Sequence, residues 1–163
     1  MSLALATTAD AAAIAALRSA VAEHLTREHG RGHWSSMVSE RGVLQAMRTA
    51  RVFVLRRRAQ LVATLSLATR KPWAIDVAYF TACATPIYLT DMAVDPSMQR
   101  RGIGRRCMDE ASEIARAWPG DAIRLDAYNA DAGAGEFYVK CGFREVGRVT
   151  YRQTPLVYFE MVL

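Results

Sequence analysis

The sequence predicts a single mixed α/β domain, and three observations carry that prediction. At 163 residues the chain is long enough for one domain with a real core. Apolar residues make up 52% and charged residues 23%, the balance of a folded globular chain rather than a disordered one. Strand-like runs and helix-spaced stripes follow one another in the order β-α-α-β-β-β-α-β-α-β-β, with no internal repeat, linker or low-complexity run.

Leu3–Ala6 reads as a short first strand, and Thr8 or Asp10 can cap the helix after it. Ile14, Leu17, Val21 and Leu25 recur at helical spacing, so one face of that helix should be buried. Gly30 and Gly32 end the pattern, and a loop rich in His and Ser follows. Ser39 can cap a second helix carrying Val43, Met47 and Ala50. Arg51–Leu55 and Leu61–Leu67 are rich in Val and Leu and close together, which predicts a hairpin. Lys71–Pro86 is irregular, punctuated by Pro72 and Pro86. Ile87–Val94 is a strand. Gly104–Trp118 is a helix with Cys107, Ala111, Ile114 and Trp118 along one face, stopped by Pro119-Gly120. Ala122–Tyr128 is a strand and Gly133–Cys141 a short helix stopped by Gly142. Phe143–Tyr151 and Leu156–Val162 close the chain as antiparallel strands around Thr154-Pro155, the last offering an edge through which a homodimer could form.

The stretch from Tyr88 to Arg106 carries the most chemistry. A buried strand leads through a short loop to Gly102-Ile103-Gly104, flanked by Arg100, Arg101, Arg105 and Arg106, and then into a helix. Glycine lets backbone come close to a ligand and permits positive φ. N–H groups from Arg101 to Arg105 could then converge on a phosphate at the positive end of the helix. A plain strand-to-helix turn with solvated arginines is the competing reading. A dinucleotide-binding fingerprint fits poorly, because Asp95–Arg101 separates strand from glycines and Cys107 stands at the third glycine position.

Net charge is +5, which favours anionic ligands without choosing among them. No nucleic-acid motif is present, and the basic residues do not interleave with aromatics as in a stacking groove, so nucleic acid ranks last among partners. Cys83, Cys107 and Cys141 stand far apart and odd in number, which points to free thiols and a cytoplasmic setting. No charged n-region precedes an apolar run, and no segment approaches a membrane span, so neither a signal peptide nor a membrane partner is expected.

The pattern resembles the GNAT superfamily of acetyl-CoA-dependent N-acetyltransferases. That family's phosphate motif, Gln/Arg-x-x-Gly-x-Gly/Ala, reads here Gln99-Arg100-Arg101-Gly102-Ile103-Gly104. The strand end before it reads Met92-Ala93-Val94-Asp95-Pro96. A second signature, a helix carrying Tyr and closing in Gly-Phe, reads Phe137-Tyr138-Val139-Lys140-Cys141-Gly142-Phe143, and Asn129 matches the family's Asn after the intervening strand. The stretch from Asn129 to Tyr138 is about two residues longer than the family's, around Asp131–Gly135. The resemblance implies one domain, residues 1–163, with a mixed sheet of about six to seven strands and about four helices. It implies a splayed parallel strand pair, Ile87–Val94 and Ala122–Tyr128, that admits the pantetheine arm of acetyl-CoA. Backbone groups of Met92, Ala93 and Val94 would pair with the pantetheine amides. The segment Gln99, Arg100, Arg101, Gly102, Ile103, Gly104 and Arg105 would hold the pyrophosphate, with Asn129 a further cofactor contact.

The implied reaction moves an acetyl group to a primary amine. The resemblance assigns Tyr138 as the acid that protonates the departing thiolate. A tyrosine of pKa about 10 holds its proton near neutral pH, which suits that role. Asp91, Asp126 or a water could take the proton from the acceptor ammonium, and either carboxylate could instead be half of a structural ion pair. The first two helices should line the acceptor site, bringing in His24, His29, His33 and Trp34. His29 and His33 read as loop polar groups rather than metal ligands, since no third ligand stands close. Trp73, Asp76, Tyr79 and Phe80 either wall the acceptor site or cover the sheet. A non-catalytic acyl-CoA-binding module is the alternative function.

Overall fold

Seven strands form one sheet in the order β1-β2-β3-β4-β5-β7-β6. The computed structural model describes residues 1–163. The strands are β1 (Leu3–Leu5), β2 (Arg51–Arg57), β3 (Gln60–Ala68), β4 (Pro86–Val94), β5 (Ala122–Tyr128), β6 (Arg144–Tyr151) and β7 (Thr154–Val162). The helices are α1 (Ala11–His29), α2 (Glu40–Ala46), α3 (Ile103–Ala117) and α4 (Gly135–Lys140). All neighbours are antiparallel except β4 and β5. That exception follows from the crossover through α3, which returns the chain in the same direction.

The sheet separates two layers. On one face, Leu55, Leu65, Ile87, Ile123 and Phe159 pack against Ile103, Cys107, Met108, Ala111 and Ala115 of α3. The i, i+4 recurrence of those α3 residues is why the helix lies flat on the sheet. Burial pushes the Cys107 thiol up to about 12, so it behaves as an apolar side chain. On the other face, Ala11, Ile14 and Ala15 of α1 meet Val43 of α2 and Val52 and Val54 of β2. Ser39 caps α2, its hydroxyl accepting from the Gly42 N–H at 3.1 Å.

The segment Lys71–Pro86 straps the second face, with one 3-10 turn at Val77–Tyr79. Ile75 and Phe80 bury themselves on Tyr88 and Tyr158, while Trp73 remains 81% exposed. Phe80 and Tyr79 therefore cover the sheet, and Trp73 does not. Two sequence expectations change at the C-terminus. The hairpin turn is Arg152-Gln153, both at positive φ (47° and 69°) as a two-residue primed turn requires; Thr154 and Pro155 already belong to β7. And β7 lies between β5 and β6, so the free edge at this end of the sheet is β6, guarded by Arg144, Glu145 and Arg148.

The strap is anchored by one buried carboxylate. Glu160, 1% exposed, accepts from the Thr81 N–H at 3.0 Å, the Thr81 hydroxyl at 2.5 Å and Arg144 at 2.6 Å. Burial alone would raise its pKa, but the Thr81 and Arg144 hydrogen bonds outweigh burial and hold it below the ordinary value of 4.5. A carboxylate depressed on folding stabilises the protein above its unfolded pKa, and that stability is lost as pH falls through the folded value. Glu160→Gln should therefore cost about 1–3 kcal/mol at pH 7, and the cost should shrink below pH 4. Urea titrations of both proteins across that range measure it; an equal cost at both ends would contradict the assignment.

Candidate active site

β4 and β5 are paired only through Pro86–Ala122, Ile87–Ile123 and Tyr88–Arg124. Beyond Tyr88, β4 keeps its pairing to β3 as far as Val94, and β5 keeps its pairing to β7 as far as Tyr128. The two strands therefore part while each stays held from behind. The facing edges, from Leu89 and from Leu125 onward, carry N–H and C=O groups that no neighbouring strand satisfies.

A bulge shapes the β4 edge. Ser66 pairs with Thr90 and Thr64 with Ala93, so Leu65 faces both Asp91 and Met92. Asp91 takes φ 55° to make the extra step. Simple alternation predicts Asp91 on the side of Leu89 and Ala93, away from Met92. The bulge reverses this: Met92 and Val94 pack against the core that holds Leu89. Asp91 turns to α1, where Arg18 donates to it at 2.7 Å.

A cavity of about 790 Å³ occupies the gap, lined by Met92 and Ala93 of β4, Asp126 and Tyr128 of β5, Arg18 of α1 and Tyr138 of α4. The Tyr138 ring is 6% exposed and meets Phe137, Phe143 and Phe159 at centroid distances of 5.2, 5.6 and 6.1 Å. Tyr138 nonetheless lines the cavity beside Asp126. Burial first, then the negative charge of Asp126, raise its pKa above 10 and keep it protonated. Asp126 has no ion-pair partner. Burial first, then the Asp91 charge, raise its pKa above the ordinary 3.8. An unpaired carboxylate with a raised pKa can accept a proton near neutral pH more readily than an ordinary aspartate can.

The opposite end of the gap leads to α3. Gly102 is its N-cap at φ 79°, a conformation costly for other residues. The first helical bond runs from the Arg106 N–H to the Gly102 carbonyl at 3.0 Å. The N–H groups of Ile103, Gly104 and Arg105 precede it and point out of the helix end. Gly104 is helical, and its bare Cα seats Phe137, whose ring lies 2.9 Å from where a Cβ would stand. Its glycine thus serves α3–α4 packing, a role the sequence did not suggest. Gln99 donates to the Val94 carbonyl at 3.2 Å and closes the loop from β4. Arg105 pairs with Asp109 and donates to the Lys140 carbonyl at 2.8 Å, and Arg106 pairs with Glu110. Arg100 and Arg101 are exposed and unpaired, the two guanidiniums free to meet an anion.

The profile of the acetyltransferase (GNAT) family matches residues 18–143. The chain belongs to this family. Solved structures agree on the fold. Ribosomal-protein-alanine N-acetyltransferase from Brucella melitensis superposes with TM-score 0.74 at 19% identity, covering 100% of both chains. The protein yncA from Salmonella typhimurium, whose structure holds acetyl-CoA, gives 0.70 at 17% identity, covering 99% of this chain and 93% of its own. An aminoglycoside 6′-N-acetyltransferase complexed with coenzyme A gives 0.69 at 15%, covering 99% and 97%. No curated protein sequence matches the chain.

Most residues that the GNAT motifs single out converge on one gap and the helix end beyond it. Asn129 does not join them. Its N–H donates to the Pro155 carbonyl at 3.0 Å, and it lines a separate cavity of about 740 Å³ beside Glu145 and Arg148. His33 and Trp34 reach the main cavity, whereas His24 and His29 do not. Arg18 went unread as a site residue. Its signal was a charge set into the apolar stripe of α1, four residues after Ile14 and three before Val21.

Proposed function

We propose that the chain transfers the acetyl group of acetyl-CoA to a primary amine by direct attack in a ternary complex. The observation that carries this reading is the unpaired β4 edge from Leu89 to Val94, ending beside the N-terminus of α3. An amide-bearing arm laid along that edge completes the sheet as an added strand. Its diphosphate then falls where the N–H groups of Ile103, Gly104 and Arg105 and the side chains of Arg100 and Arg101 converge. Backbone N–H groups of β4 at the acetyl end stabilise the oxyanion of the tetrahedral intermediate.

Asp126 takes the proton from the acceptor ammonium, directly or through water. The amine nitrogen then attacks the thioester carbon. As the C–S bond breaks, Tyr138 gives its proton to the departing sulfur; the second proton of the attacking nitrogen returns to the Tyr138 phenolate through water, and Asp126 releases the first to solvent. Burial raises the pKa of the phenol, and the same low-polarity surroundings raise the basicity of the thiolate, so transfer between them stays feasible. Asp91 is spent on Arg18 and serves to hold α1 against the bulge. The free thiols of Cys83, Cys107 and Cys141 fit a reducing cytoplasm.

CoA release from acetyl-CoA across a panel of primary amines tests the reading; turnover with at least one amine is expected. Binding of acetyl-CoA without turnover of any amine would make the chain a non-catalytic acyl-CoA-binding module. Gly102→Val should weaken acetyl-CoA binding about tenfold or more, equivalent to ~1.4 kcal/mol. It forces a branched side chain into positive φ at the cradle. An unchanged affinity would remove the α3 terminus from the cofactor site.

A further inference from the structure

The acceptor half of the cavity is amphipathic in a definite order. At its floor stand Asp126, unpaired, and Asp91, neutralised by Arg18 at 2.7 Å, which leaves one net negative charge. Its outer wall is largely apolar and carries no carboxylate: Val21 and Leu25 of α1, then Trp34 and Met37 of the α1–α2 loop, with Ser36 and Ser39 between and after them. Val21 and Leu25 belong to the stripe that periodicity assigned to the core, yet they are only half-buried because they face this space.

Trp34 is not a loose surface ring. Its Nε1 donates to the Gly30 carbonyl at 3.0 Å, and it meets Tyr128 edge-on at 6.1 Å. Its ring lies against Gly32, 2.5 Å from where a Cβ would stand. The loop that carries it is tied across to the sheet. The Tyr128 hydroxyl donates to the His33 carbonyl at 3.1 Å, and the His33 ring nitrogen lies 3.2 Å from the Thr154 hydroxyl. An aromatic wall held in place at no further ordering cost favours a flat apolar ligand.

We infer that the acceptor is a compact primary amine carrying an aromatic or similarly broad apolar body, its ammonium on Asp126 and its ring against Trp34. This rests on the acetyl transfer proposed above. A polycationic amine would bring further charges against Val21, Leu25 and Met37, where no carboxylate lines the cavity to pair them.

The test compares kcat/KM for 2-phenylethylamine, ethylamine, an aminoglycoside and a lysine-containing peptide, with saturating acetyl-CoA. The aromatic amine should exceed ethylamine by roughly 10–100-fold, the range expected for burying one such side chain. Trp34→Ala should remove about 2–10-fold of that advantage and leave the KM for acetyl-CoA unchanged, whereas Trp34→Phe should retain most of it. A preference for the aminoglycoside or the peptide would overturn the inference, as would an aromatic preference that survives Trp34→Ala. Thermal stabilisation by acetyl-CoA separates the two levels of failure. With stabilisation present and polar amines preferred, only the acceptor assignment falls. With no stabilisation and no turnover, the transfer reading falls and takes this inference with it.

Discussion

Tyr138→Phe should lower kcat by roughly two to four powers of ten while leaving acetyl-CoA affinity intact. The phenylalanine ring keeps the contacts with Phe137, Phe143 and Phe159, so the α4–β7 packing stays as it is and only the hydroxyl is lost. The thiolate must then leave unprotonated or draw a proton from water, which the buried surroundings make slow. Because burial raises the Tyr138 pKa above its ordinary value, any loss of kcat from its ionisation should set in at a higher pH than for an ordinary tyrosine. Single-turnover rates separate this from slow product release. A variant that turns over at the wild-type rate would leave the phenol a packing group.

Asp126→Asn should have the second largest effect, a fall in kcat/KM of roughly two to four powers of ten at neutral pH. Its pH dependence is the sharper evidence. In the wild type, kcat/KM falls as pH drops through the Asp126 value, because a protonated carboxyl cannot accept a proton. That limb lies above the ordinary aspartate range, since burial and then Asp91 raise the pKa. In the variant the acid limb should follow the free amine's own ionisation, so the deficit narrows as pH approaches the amine pKa. Asp91→Asn should instead loosen α1 through Arg18 and keep an acid limb, shifted to lower pH because the Asp91 charge no longer raises the Asp126 pKa. Identical profiles for wild type and Asp126→Asn would move the base elsewhere, to a water.

The two substitutions also mark what the sequence could carry. Strand and helix order was legible because the apolar periods change from two to 3.6 at Gly and Pro, as at Pro119-Gly120 before β5. The phosphate loop was legible because glycines and arginines cluster between one strand and one helix. The β4 bulge was not, because inserting one residue leaves no mark in composition; it is set by Leu65 facing two partners and by Asp91 at positive φ. That one step decides which aspartate is paired and which is free. The C-terminal turn was missed for a related reason: Arg152 and Gln153 adopt positive φ without the glycine or asparagine that would announce it. The outer wall of the cavity was half legible. Val21 and Leu25 keep helical spacing, but spacing alone cannot say whether a face meets a core or an opening.

If the parted β4 and β5 edges and the α3 N-terminus form one site for acetyl-CoA, a single molecule must engage both ends. Isothermal calorimetry of the purified chain with acetyl-CoA tests it most directly, with ATP as the control for a bare phosphate ligand. Saturable one-to-one binding of acetyl-CoA is expected, weakened about tenfold or more by Gly102→Val, with far weaker heat from ATP, which lacks an arm to pair with β4. No heat with acetyl-CoA at millimolar concentration, or equal binding of ATP, would contradict it.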